Sequence, residues 1–293
     1  MIKNKKIPWL LLAPTLLIIG ILVLYPILRT FTFSLYQYQL NNPENITFIG
    51  FSNYKNILQS KEFYFALSNS GIMLLITLVL SIIGSLFVAL LLNIQSPISP
   101  LLTGVAILPW ALPPLVNGII WMFIFNPGYG LLNKILVQIG ILNQPFSWTA
   151  HRLHILFIVS LVVAWRVIPF CAILILTNLR NIPYELYEAA RVDGSGSIQS
   201  FFRITLPLIL PSLFIVFVQV TMASINTFDE IIAIAGYKFE SQNLILHNYF
   251  HTFRYLNFGY GSAISYLIMI LSGILGYFYV KSMSHTFHRK EVE

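Results

Sequence analysis

Charge is what this sequence has least of. Only 9% of its 293 residues are Asp, Glu, Lys or Arg, against about 25% in an ordinary soluble domain, and that excludes a water-soluble globule. The deficit is concentrated, for the stretch from Phe63 to Asn133 contains no Lys, Arg, Asp, Glu or His. Cysteine is almost missing as well. Cys171 is alone, which excludes an intramolecular disulfide framework and any cysteine-rich zinc or iron–sulfur centre, and argues against redox chemistry. No Gly-Lys dipeptide occurs, so the chain has no Walker A loop. The 10 acidic residues are outnumbered by 17 Lys and Arg, giving a net charge of +7. Those basic residues are dispersed at the ends of apolar segments instead of forming one stripe, which excludes a nucleic-acid-binding face and fits the charge bias of membrane proteins.

Hydrophobic residues make up 57% of the chain. Crossing about 30 Å of hydrocarbon takes roughly 20 apolar residues in helical form, because unsatisfied backbone amides are costly in lipid. Six segments qualify: 7–36, 67–92, 101–125, 155–179, 206–235 and 259–280. The expectation is an all-α integral membrane protein, one transmembrane domain over 1–293, with no cleaved leader. Lys3, Lys5 and Lys6 argue for a cytoplasmic amino terminus, and an even number of spans returns the carboxyl end, with Lys281, Arg289 and Lys290, to the same side. Between the first two spans, Gln37 to Phe65 has room for a short helix. Asn93 to Pro100 is a Pro/Ser turn.

The inner loop 180–205 is the most informative segment. After Asn181-Ile-Pro183, the run Tyr184 to Val192 has helical character, with Glu185 and Glu188 on one face near the positive end of the helix dipole. Ala189 and Ala190 leave room for another backbone to approach. Gly194 can take the left-handed geometry that ends a helix. Ile198, Phe201, Phe202 and Thr205 then recur at helical spacing, which predicts a second short helix in the headgroup region before Pro207 opens span five. Together these features describe a docking lug on the inner membrane face.

Here the residues carry a family resemblance. Glu188-Ala189-Ala190, then Gly194, then Ile204-x-Leu206-Pro207 resembles, at every specified position, the cytoplasmic "EAA" motif of binding-protein-dependent ABC importer permeases. The likeness is closest to the carbohydrate-uptake branch, of the maltose and glycerol-3-phosphate type, and to the first of its two permease subunits. Phe48-Ile-Gly-Phe-Ser-Asn-Tyr54, Trp121 with Phe125 to Asn133, and Trp165-Arg166-x-x-Pro169-Phe170 carry it further along the chain. One stretch departs: after Phe228-Asp229, Ala233 to Lys238 stands where the family often has Thr-Gly-Gly-Gly-Pro. The resemblance implies that 180–205 is a coupling helix seated on a separate ATPase, with Glu188 in contact, the alanines packed close and Gly194 turning the chain. Glu185, Arg191 and Asp193 belong to the same coupling surface. It further implies a second permease subunit, two cytoplasmic ATPase subunits holding ATP and Mg, an extracytoplasmic solute-binding protein, and a multi-pass place in a bacterial cytoplasmic membrane. This chain itself would bind no cofactor and catalyse no reaction.

Arg166 lies inside span four, where a charge costs about 2.5–3.5 kcal/mol on insertion scales, so it must face water or a partner. It serves either as a substrate contact or as one half of an ion pair with Asp229 or Glu230. Asn117, Asn178 and Asn226 offer amides that suit sugar hydroxyls or join helices. Pro109, Pro113 and Pro114 interrupt span three. His247 with His251, and His151 with His154, have helical spacing suited to metal, but neither pair shows a third ligand, so no metal site is expected. An ion-coupled secondary transporter, with Arg166 and Asp229 as its relay, is the competing function.

Overall fold

The computed structural model describes residues 7–94 and 96–290, with side chains from Leu11 to Lys281 apart from Pro43 and Gln95. The lysines Lys3, Lys5 and Lys6, and the side chains of Arg289 and Lys290, on which the orientation rests, lie outside the described residues. In chain order the helices are α1 Ile7–Ile19, α2 Tyr25–Ser34, α3 Ser52–Gln59, α4 Lys61–Leu92, α5 Ser99–Ala106, α6 Pro114–Phe125 and α7 Leu131–Gln138. There follow α8 Arg152–Arg180, α9 Tyr184–Val192, α10 Ser197–Ser200, α11 Leu206–Ile225, α12 Asp229–Ala235, α13 Leu244–Tyr249 and α14 Phe258–Lys290.

Five stretches are long and apolar enough to cross a membrane: Leu11–Ser34, Lys61–Leu92, Arg152–Arg180, Ser197–Ile225 and Phe258–Lys281. The expected third span differs. Ser99–Ala111 and Pro114–Phe125 meet at an angle of 92°, because Leu112 and Pro113 are extended (ψ 133° and 140°) and two successive prolines remove the donors that would continue the helix. The expected fifth span is also redrawn. It ends at Ile225, and Asp229–Ala235 is a separate short helix. At its start, a π-turn over Phe201–Thr205, in which the Leu206 N–H bonds Phe201 O, carries one helix past Pro207. The separate headgroup helix expected over Ile198 to Thr205 is therefore the first part of that span. A two-residue antiparallel ladder, β1 Tyr36–Gln37 with β2 Thr47–Phe48, is the one departure from all-helical structure large enough to form strands among the described residues.

The chain forms two compact units, Met1–Tyr64 with Leu246–Leu271, and Phe65–Ile245 with Ser272–Glu293. In the first, Asn53 donates to Ser34 O at 2.9 Å and Tyr36 O at 3.0 Å, Ser34 Oγ meets the Tyr54 hydroxyl at 2.7 Å, and Tyr266 donates to Ile27 O at 2.7 Å. Gly259 is needed where it stands, since a Cβ there would lie 2.2 Å from Tyr36 O.

The second unit is organised around α8. Fifteen of its residues are buried, from Ile155 to Leu179. At its start Arg152 Nε donates to Asn69 Oδ1 near the beginning of α4 at 2.7 Å, and at its end Arg180 donates to Ser99 Oγ just beyond the end of α4 at 2.9 Å. Helices α4 and α8 thus run in the same direction.

Candidate functional site

Local sequence builds the end of α9. Gly194 has φ +79°, the Gly194 N–H donates to Arg191 O at 3.0 Å, and the Ser195 N–H reaches back to Ala190 O at 2.8 Å. These two bonds make a Schellman motif, which satisfies carbonyls that a helix end otherwise leaves open. Glycine at this position avoids the Cβ clash of the left-handed conformation. Tyr187 bridges to Thr205 Oγ1 at 2.8 Å, so α9 is tied to the helix that follows it. Arg191 bonds the Tyr184 hydroxyl at 3.1 Å and lies over its ring.

None of the α9 residues is buried. Glu185, Glu188, Ala189, Arg191, Asp193 and Gly194 are exposed, Ala190 is half-buried, and Ile204, Leu206 and Pro207 are half-buried where the chain re-enters the bundle. Val192 and Ile198, on either side of the Gly194 turn, are 88% and 76% exposed. Beside α9 lies a cavity of about 1040 Å³ lined in part by Asn93, Ser99, Arg180, Tyr184, Tyr187 and Arg191. The Pro/Ser turn after α4 and the 180–205 loop therefore share one end of this unit.

Deeper in the same unit, Arg166 on α8 pairs with Glu230 on α12. The guanidinium reaches Glu230 Oε1 through Nε at 3.1 Å and a terminal nitrogen at 3.0 Å, with side chains 16% and 2% exposed. Glu230, not Asp229, is the partner. Glu230 lies in the first turn of α12, where the helix dipole favours a carboxylate. Asn117 on α6 is fully buried and donates to Val162 O at 3.1 Å, while its Oδ1 has no hydrogen-bond partner. Trp121, one turn further, packs edge-on against Trp165 at 5.6 Å and leaves its Nε1 equally unpaired. A Cβ on Gly118 would lie 2.6 Å from Ala233 Cβ and 3.0 Å from Glu230 Cα, so α6 and α12 touch at Gly118.

The structure thus brings together Arg166, Glu230 and Asn117. It does not bring Asn226 to them as a convergent group: Asn226 is exposed and bonds Met222 O at 2.8 Å, closing its own helix end. Asn178 is half-buried near the far end of α8. Trp121 was not legible as a site residue, because near a helix end it reads as an interfacial anchor.

A family model described as "Binding-protein-dependent transport system inner membrane component" matches residues 81–288. The trehalose/maltose transport system permease protein MalF of Thermococcus litoralis is 30% identical over 92% of this chain and 90% of its own length. The sulfoquinovosyl glycerol transport system permease protein SmoG of Agrobacterium fabrum is 31% identical over 92% and 87%. The probable ABC transporter permease protein YurN of Bacillus subtilis is 33% identical over 92% and 93%. Among solved structures, a chain of a bacterial ABC transporter involved in the import of the acidic polysaccharide alginate superposes with a TM-score of 0.81 at 19% identity, covering 97% of both chains. These matches support an ABC permease over the ion-coupled carrier. With the 180–205 loop inside the matched region, the chain belongs to the family of binding-protein-dependent transport system inner membrane components, the permeases of ABC importers.

Proposed function

We propose that this permease carries a sugar or a related polar solute inward, delivered by an extracytoplasmic binding protein and driven by ATP hydrolysed on two separate subunits, one of them docked at α9. The observation that carries the reading is the 180–205 loop and its exit: they match the EAA motif at every specified position, and helix α9 within the loop buries none of its own residues. Glu185 and Glu188 offer carboxylates to a basic cleft, Ala189 and Ala190 admit a close backbone, and Gly194 fixes the exit. Arg191 and Asp193 complete the contact, and Ile204, Leu206 and Pro207 pass the motion into the span. The names of the relatives, with trehalose, maltose and sulfoquinovosyl glycerol, support the solute class.

Six crossings are supported by the common direction of α4 and α8, since the chain must return between them and the bent α5–α6 pair supplies the return. Both termini and α9 then lie on the cytoplasmic side of a bacterial membrane. A second, different permease subunit completes the translocation path, and the chain itself binds no cofactor, ATP and Mg remaining on the partners. Within the path, Arg166 and Glu230 hold α8 to α12, and Asn117 and Trp121 present an unspent acceptor and donor to a hydroxyl-rich solute. Asp229 and Asn226 flank the entrance of α12.

The test is reconstitution of the tagged complex with its native partners. Wild type co-purifies with an ATPase and accumulates solute only with ATP; Glu188→Lys and Gly194→Asp lose the ATPase or its coupling. Uptake that follows an ion gradient, with no ATPase bound, would overturn the reading.

A further inference from the structure

His247 and His251 have a third companion that the sequence conceals. Glu62, far away in the chain, brings a carboxylate oxygen to within 4.8 Å of a ring nitrogen from each histidine, all three donors lying that close to one another. It is the one such trio among the described residues. We propose that Glu62, His247 and His251 bind a divalent transition-metal ion of the zinc class, two imidazoles and one carboxylate holding it and water completing the shell.

Each part of the arrangement is fixed for the task. Glu62 sits in the first turn of α4, and that turn is pinned because the Phe63 N–H donates to Ser60 Oγ at 3.3 Å. His247 lies on α13, and His251 on the π-turn Phe250–Arg254 that follows, a widened geometry that recurs at functional sites. The two imidazole rings meet edge to face with centroids 4.6 Å apart. His247 is 2% exposed, yet its Nε2 has no hydrogen-bond partner. A buried polar atom left unpaired in a native protein calls for an explanation, and a metal ion supplies one.

The chemistry fits zinc better than calcium or magnesium, which prefer all-oxygen shells. Bonds of about 2.0–2.2 Å in tetrahedral array put donors roughly 3.3–3.5 Å apart. Glu62 is exposed, and on this proposal its side chain turns inward by the difference when the ion binds. Burial, with His251 adding to it, pushes His247 down to about 4, and burial also lowers His251 against the pull of Glu62. Phe63 packs its ring 6.5 Å from that of His247, and Tyr255 and Tyr260 pack theirs 5.3 and 4.5 Å from that of His251. An ion here clips the start of α4 to the segment that leads into α14. The contrast with His151 and His154, whose rings also touch at 5.5 Å but which gain no third ligand among the described residues, provides an internal control.

The experiment measures zinc content of the purified complex after chelator stripping, equilibration with zinc chloride alone and desalting. Wild type should retain about one more zinc per permease than Glu62→Gln or His251→Gln, whose affinity should fall by roughly tenfold or more, while His151→Gln retains as much as wild type. Glu62 is on the surface, so its variant folds even if a change at buried His247 does not. Equal retention by wild type, Glu62→Gln and His251→Gln, or no retention by wild type, overturns the proposal. The readout is metal rather than uptake, so it stands or falls independently of the transport reading.

Discussion

Helices α8 and α9 are separated only by Asn181, Ile182 and Pro183, and they use their residues in opposite ways. The most apolar window of α8 is 61% buried within the chain; α9 buries nothing. Much of α8 packs against α6, α11 and α12 of the same unit, while Leu153 and Phe157 stay exposed. In α9 the bonds go to its own termini and to Thr205, and its outer face is left for something else. The difference separates a helix that holds the permease together from one that, on the function proposed above, takes up force from an ATPase. It also says what each kind of mutation does: changes in the α8 region should unfold, and changes in α9 should uncouple.

The largest effect on stability is expected at the Arg166–Glu230 pair. Glu230→Ala leaves the part-buried Arg166 guanidinium uncompensated and should cost up to about 3 kcal/mol, read as a lower melting temperature of the detergent-purified complex. Replacing both partners by methionine should recover most of that loss. If the double variant is no better than the single, the pair is not the contact that matters at α12. Gly118→Ala comes next, at about 1–3 kcal/mol of overpacking, because the new methyl would meet Ala233 and the backbone of Glu230. Gly194→Ala should cost about 1 kcal/mol, since open space surrounds it and only its positive φ resists a side chain. The smallest stability change, within about 0.5 kcal/mol, is expected for Glu188→Lys on the exposed face of α9, although it should reduce ATP-driven uptake by roughly tenfold or more, the equivalent of about 1.4 kcal/mol of coupling. A large melting shift for Glu188→Lys would erase the contrast between the two helices.

The same contrast explains what could be read from the sequence. The 180–205 loop was legible because its signals are contiguous: a helix, two alanines and a glycine whose left-handed conformation the structure shares. Arg166 was legible as a charge that needs an answer, but periodicity could not choose between Asp229 and Glu230; that choice depends on where α12 starts. Pro109, Pro113 and Pro114 announced a break in the third span, though not its 92°, which is set by two consecutive extended residues. The π-turn that carries α11 past Pro207 has no sequence signature strong enough to outweigh a proline. The third member of the His247 and His251 trio was invisible for a simpler reason: Glu62 is far from both in the sequence, and only tertiary structure brings it near.

The most direct test of the α9 account is ATP-driven uptake by proteoliposomes containing the whole complex, comparing wild type with Glu188→Lys at matched thermal stability. The account predicts that the variant melts with wild type, while its uptake collapses and its ATP hydrolysis no longer responds to the loaded binding protein. Wild-type uptake by Glu188→Lys, or uptake lost only in step with a lowered melting temperature, would contradict it.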